Sequence, residues 1–291
     1  MNKEELSALV ADILRNMDAP PESGTPKAVC PDSRESVADI SALDLRQLYL
    51  TENAAEPEKF RRLKEKTPAR LGLGRCGPRY KTLSMLRFRA DHAAAQDAVF
   101  SQVPEDYAEK LDLLALQTRC CDKDQYLTRP DLGRCFDEEN RQKLKAAIPH
   151  APRVQLVVGD GLSSAAVMAN AADCMAAIRD GLKLRGIETG KGIFVRYCRV
   201  GAGDAIGDIT GCELVCMLVG ERPGLVTDKS MSVYITYQPH TGVSESSRTV
   251  VSNIHSQGTP AAEAGAFVSE LIDTILKKKV SGVGLHLEAG A

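Results

Sequence analysis

The run Glu213–Val219 constrains this chain more than any other stretch, because it is short, largely apolar and stopped by a glycine. Such a run reads as a strand covered on both faces, which requires a sheet with further layers above and below it. Gly220-Glu221-Arg222-Pro223-Gly224 then breaks it abruptly. Pro223 fixes φ, the two glycines allow backbone angles that other residues avoid, and two opposite charges sit between them. Ligands of open α/β sheets bind at the carboxyl ends of the strands. Two readings stand at this point: a ligand-binding loop, or a solvated turn with an incidental Glu–Arg pair.

The same strand-and-glycine pattern marks the chain from Arg153 onward. Val154–Val158 reads as a buried strand, and Gly159-Asp160-Gly161-Leu162-Ser163-Ser164 leads into a helix-forming run. Backbone N–H groups at such a helix start suit an anion. The turn is G-x-G-x-x-S, and the next strand, Ile193–Tyr197, ends in Cys198-Arg199-Val200 with no acidic residue for a ribose hydroxyl, which disfavours nicotinamide binding. Ser163 and Ser164 also lack the G-x-S-x-G frame of a nucleophile elbow. Asp173–Arg185 reads as a helix stopped at Gly186, Met231–Tyr237 alternates as a strand, and Arg248–His255 precedes the turn Gln257–Pro260. Thr259 can cap, and Pro260 open, a helix over Ala261–Lys279.

The expected fold class is therefore α/β, a Rossmann-like open and mostly parallel sheet with flanking helices over residues 151–291. Strand ends at Gly159, Val200, Gly220 and near Val250 should lie along one sheet edge, lined by backbone amides, Glu221, Arg222 and hydroxyls. That edge holds no nucleophile–base pair, metal cluster or P-loop, and His255 reads as a hydrogen-bonded structural histidine.

Residues 41–150 read as mainly helical, with Thr82–Val99, the leucine-bearing Asp106–Thr118 and an Asp-capped Asp137–Ile148. Gly72–Gly77 is a literal G-x-G-x-x-G, but charged Lys64–Arg70 precedes it and Pro78 follows, so it reads as a loop. Tyr126–Arg134 is dense in turn formers, with Arg129 placed to pair with Asp131. Ahead of all this, Leu6, Leu9, Val10, Ile13, Leu14 and Met17 form a 3.6-period stripe. Residues 1–18 are thus predicted to form an amphipathic docking helix, and residues 19–40, rich in proline, a flexible linker.

Net charge is −2 over 291 residues, which gives no electrostatic case for nucleic acid or an anionic membrane. No run approaches the roughly 20 apolar residues that span a bilayer, and the first residues lack a signal-peptide core, so a soluble, cytosolic chain is expected. The nine cysteines include several inside apolar runs, where reduced cysteine acts as a small hydrophobe. Cys212 and Cys216 are expected to share a strand face, without a histidine beside them.

Several long motifs resemble one family in order: Tyr126–Arg134, Val158–Ser164, Phe194–Tyr197, Leu218–Leu225, and Ser252–His255 with Gly258–Pro260. They resemble the small (light) subunit of ethanolamine ammonia-lyase from about Ala69 to the C-terminal helix. The resemblance implies a bacterial, adenosylcobalamin-dependent lyase that converts ethanolamine to acetaldehyde and ammonia by a radical mechanism. It implies that a large subunit carries the substrate barrel, while the small subunit binds and covers the cofactor at their interface and supplies no catalytic residue or metal ligand. Cobalamin contacts of the family fall on Val200, Glu221 and Val250, the last at a position where some members carry cysteine. Residues 41–150 would contact the partner subunit, residues 1–18 a microcompartment shell, and the enzyme would reside in the bacterial cytoplasm within a microcompartment. The competing readings are a non-catalytic nucleotide- or phosphate-binding α/β protein and a hydrolase using Ser163.

Deleting residues 1–20 is expected to leave turnover nearly unchanged while altering solubility or location. Loss of activity in a truncated enzyme that stays soluble and assembled would make that segment part of the catalytic fold.

Overall fold

The computed structural model describes residues 39–67 and 69–287. The predicted helix over residues 1–18 and nearly all of the linker over 19–40 lie outside the described residues. A small hairpin, β1 (Arg75–Cys76) with β2 (Arg79–Tyr80), precedes a six-stranded sheet. The sheet comprises β3 (Leu114–Gln117), β4 (Val154–Gly159), β5 (Ile193–Arg196), β6 (Leu214–Gly220), β7 (Met231–Tyr237) and β8 (Arg248–Ile254). Their order is β3-β5-β4-β6-β7-β8. The first four run parallel, and β7 and β8 continue the sheet antiparallel. Every residue of β4 and β6 is buried, as strands between two covered faces must be.

The helices are α1 (Pro57–Glu65), α2 (Thr82–Phe100), α3 (Tyr107–Lys110), α4 (Lys123–Thr128), α5 (Glu138–Ala147), α6 (Ser164–Leu184), α7 (Ala202–Thr210), α8 (Ala261–Lys278) and α9 (Val283–Leu287). None is long and apolar enough to cross a membrane. On one face of the sheet, Leu156, Val158, Cys216, Leu218, Val233 and Ile235 pack against Ile178 and Leu182 of α6 and Val268 and Ile272 of α8. On the other, Val157, Val195, Val215 and Met217 pack against Leu144 of α5 and Ala205 and Ile206 of α7. The first face is covered out to β7; the second loses its helical cover there, with Tyr234 half-buried and Val250 exposed.

Local chemistry explains most element ends. The Asp137 side chain accepts from the Asn140 N–H, and the helix before Gly186 stops where that glycine takes φ +68°. The expectation for Leu111–Leu116 fails: Asp112 turns to φ +49° and Leu114–Gln117 becomes the edge strand β3, paired with β5. Tertiary pairing overrides the helical leanings of those leucines. Thr259 does not cap α8 either. Its N–H goes to Asn253 O (3.0 Å) and its carbonyl accepts from His255 N–H (3.1 Å), so Pro260 takes the capping position. Because β6 begins only at Leu214, Cys212 and Cys216 enter opposite cores instead of sharing a face. The G-x-G-x-x-G stretch leads into the β1–β2 hairpin, with Gly72, Gly74 and Gly77 at φ +72°, +67° and +61°.

Helices α6 and α8 approach closely: a Cβ on Gly265 would lie 2.5 Å from the Cys174 carbonyl oxygen and 2.7 Å from the Ala177 Cβ. Replacing Gly265 with Val is therefore expected to cost about 1–3 kcal/mol through overpacking, read as a lowered denaturation midpoint.

Candidate functional site

The end of β6 is fastened by Glu221. Its Oε1 accepts from the Ser232 hydroxyl and from the Asn253 N–H (3.2 Å), and its Oε2 from the Ser230 hydroxyl (3.0 Å). Its own N–H donates to Ser230 O at 3.0 Å. One carboxylate thus ties the ends of three strands together. Arg222 is exposed, and no ion pair joins it to Glu221 among the described residues.

The turn after β4 is closed. Ser163 Oγ accepts from the Ala166 N–H (3.0 Å) and donates to Asp228 O (2.6 Å), so the hydroxyl caps α6 and pins the loop after β6. A Cβ on Gly161 would lie 2.6 Å from Val219 Cγ2, and one on Gly220 would strike the Ser163 backbone. The buried Asp160 carboxyl receives Ser164 Oγ (2.6 Å) and the Val103 N–H (3.3 Å). Burial pushes its pKa up, against the pull of the Ser164 hydrogen bond and of Lys123. Lys123, whose pKa burial lowers, donates to Gly161 O at 3.2 Å. This is a packed joint, not the open anion cradle that the glycines suggest. It removes the ground for a phosphate site there and for Ser163 as a nucleophile.

Beyond β5 the chain turns at Tyr197, φ +55°, and carries Val200 to the start of α7. Thr118 Oγ1 donates to Tyr197 O (2.9 Å), and the Tyr126 hydroxyl to Cys198 O (3.1 Å). Arg199 donates through its N–H to Gly133 O (2.9 Å), through its guanidinium to Tyr126 O (2.9 Å), and lies 4.3 Å above the Tyr126 ring. The Tyr126–Arg134 segment is therefore a buttress for Val200, a role that turn composition alone does not disclose. The expected Arg129–Asp131 pair forms at 2.8 Å, exposed on its outer side. Val200 itself is half-buried at the rim of the core under α7.

Val250 stands at the third position of β8, not at its end, which is Ile254. Its register partner is Tyr234, whose own partner is Met217, so the three form one row across β6, β7 and β8. With 44 % of its surface exposed, Val250 is an apolar residue midway along the edge strand β8, on the face that has lost its helical cover. One row toward the carboxyl end of β6, Ser232 Oγ lies 3.0 Å from Ser252 Oγ beneath Glu221. One row the other way, Arg248 grips Asp204 of α7 with two parallel bonds (2.8 and 2.9 Å), touches Thr236 Oγ1 (3.2 Å) and donates to Glu245 (2.7 Å). The Asp204 hydrogen bond raises the Arg248 pKa further. The bare strip thus has an acidic corner, an apolar centre and a paired cation at its far end.

His255 is buried and structural, as expected. Nδ1 accepts from the Gln257 N–H (3.2 Å), which leaves Nε2–H to donate to Asn253 Oδ1 (2.8 Å). Among the described residues no group of three His, Cys, Asp or Glu side chains is placed to hold a metal. Cavities of similar size lie elsewhere, one of about 480 Å³ at the end of α6, lined by Arg179, Asp180, Lys183 and Glu188, and two in the N-terminal part. Of the latter, one of about 480 Å³ is lined by Asp44, Arg46, Arg61 and Lys64, and one of about 510 Å³ by Tyr49, Phe60, Leu71 and Tyr80.

Removing one partner of the buried pair, as in Asp204→Ala, is expected to cost about 3–5 kcal/mol in denaturant titrations, since it strands the Arg248 charge. The double change Asp204→Leu with Arg248→Met should cost far less. Equal costs for the two variants would mean that the stranded charge is not what makes the single change costly.

The family description ethanolamine ammonia-lyase light chain (EutC) matches residues 57–286. The ethanolamine ammonia-lyase small subunit of Clostridioides difficile (strain 630) is 51% identical over 292 residues, 98% of this chain and 100% of its own length. The subunit of the same name from Clostridium perfringens is 48% identical over 294 residues, again 98% of this chain and 100% of its own. That of Listeria monocytogenes serovar 1/2a is 49% identical over 292 residues, with the same coverage.

Proposed function

The chain belongs to the ethanolamine ammonia-lyase light-chain family, the small subunits of that lyase, and we propose that it binds adenosylcobalamin on the bare strip of its sheet. The observation that carries this reading is the row Met217–Tyr234–Val250, which runs from buried Met217 to exposed Val250 on the edge strand and leaves apolar surface open between two polar ends. A corrin is a broad, largely apolar ring fringed with amide arms, and a strip with that same division of character fits it. The relatives are named small subunits, so a large subunit is the partner that closes the other side of the cofactor.

The cofactor, when bound, supplies the radical chemistry that turns ethanolamine into acetaldehyde and ammonia. What falls to this chain is binding, orientation and exclusion of water. Val200 and Val250 present apolar surface from two sides of the strip. Glu221 has four acceptor positions on its carboxylate; three are used within the chain, and one on Oε2 remains for an amide N–H. The Tyr126–Arg199 buttress and the Arg248–Asp204 pair fix where Val200 and Val250 stand. The side chains facing the strip are suited to binding and not to proton transfer, which leaves the substrate chemistry to the large subunit and cofactor. Residues 1–18 serve docking to a microcompartment shell in the bacterial cytoplasm.

Titration of adenosylcobalamin into the assembled two-subunit enzyme tests this. Glu221→Ala should weaken affinity about tenfold to a hundredfold, as lost bonds to a charged acceptor do, with Glu221→Gln milder. Val250→Glu, which would bury a charge beneath the ring, should weaken it by about a hundredfold or more. Wild-type affinity in Val250→Glu with assembly intact would show that the strip faces something other than the cofactor.

A further inference from the structure

We infer that Tyr234 is a further contact residue for the same ligand, its ring forming the floor of the strip and its hydroxyl donating to a carbonyl of a corrin amide arm. The inference rests on the cobalamin reading of the strip and adds a residue that the strand-end motifs do not include. Tyr234 lies directly between buried Met217 and exposed Val250 in the sheet register, where the helical cover of this face ends. Its ring packs on the rim of the core that Val200 also borders.

The hydroxyl is the telling group. Three other tyrosines near this sheet spend theirs inside the chain, Tyr107 on Val167 O (3.3 Å), Tyr126 on Cys198 O (3.1 Å) and Tyr237 on Glu213 Oε1 (3.4 Å), while Tyr197, just past β5, packs its ring in the core instead. That of Tyr234 makes no hydrogen bond with any described residue, although its ring is half-buried. A tyrosine whose body is covered and whose tip is free is built to meet a polar atom at the edge of an apolar surface. Burial, and then the nearby Glu221 and Glu245 carboxylates, raise its pKa, so the phenol keeps its proton and remains a donor. The charges around it act the same way. Glu221 at one end favours amide N–H groups over carboxylates, and Arg248 at the other is already neutralised by Asp204 and Glu245. The strip therefore selects a neutral, amide-fringed ring.

The assembled enzyme carrying Tyr234→Phe, Tyr234→Ala or Val250→Glu would be titrated with adenosylcobalamin by absorbance, alongside thermal unfolding of the cofactor-free complexes. Tyr234→Phe removes only the hydroxyl. It should weaken affinity about threefold to tenfold, the worth of one hydrogen bond, at an unchanged unfolding temperature. Tyr234→Ala should weaken it further. Wild-type affinity in Tyr234→Phe and Tyr234→Ala, with Val250→Glu impaired, would overturn the inference alone and leave Tyr234 a packing residue. Wild-type affinity in all three would overturn the strip as the cofactor site. Should Tyr234→Ala fail to assemble, Tyr234→Phe still decides.

Discussion

The buried pair between Arg248 and Asp204 is the contact on which the arrangement of the site depends. Taking both charges out of water is costly, and only good geometry offsets it. Two parallel bonds at 2.8 and 2.9 Å, with Thr236 and Glu245 on the remaining donors, supply that geometry. The pair spans from α7 to β8. It reaches across β7, where Arg248 also touches Thr236 Oγ1. Val200 lies four residues before one partner and Val250 two residues after the other. The pair thus ties the helix that follows Val200 to the strand that carries Val250.

The opposite end of the strip is organised on the same plan with different chemistry. Glu221 gathers hydroxyls and an N–H from β7, β8 and the loop before β7, and Gly220 lets β6 come up against the Ser163 backbone. The turn after β4 is consumed by this packing. Asp160, Lys123, Ser163 and Ser164 spend their polar atoms on neighbouring chain segments. A glycine-rich turn at a helix start can bind phosphate or hold a fold together, and here it does the second. The apolar surface left without helical cover lies over β7 and β8.

How much of this was legible in the sequence differs by element. The strands β4, β6 and β7, the Asp137 cap and the stop at Gly186 could be read because each is written locally, in apolar runs and punctuating residues. β3 could not, because four residues become a strand only when β5 lies beside them. Val250 was placed near a strand end, yet β8 runs on to Ile254. The register that sets Val250 beside Tyr234 depends on an irregularity between Met231 and Val233 that no local pattern announces. Tyr126 and Arg199 are 73 residues apart, and Asp204 and Arg248 are 44 apart. Such pairings carry no periodicity, so only the folded chain displays them.

The reversal of direction after β6 has a consequence of its own. Parallel neighbours must be joined by crossovers, and a crossover helix roofs whichever face it passes over. β7 and β8 follow one another as antiparallel neighbours, so no helix is carried over that corner of the second face. The gap comes from connectivity, at no expense in excavated core. A flat molecule laid there would act as the missing roof tile, adding a layer to the architecture as well as a ligand to the site.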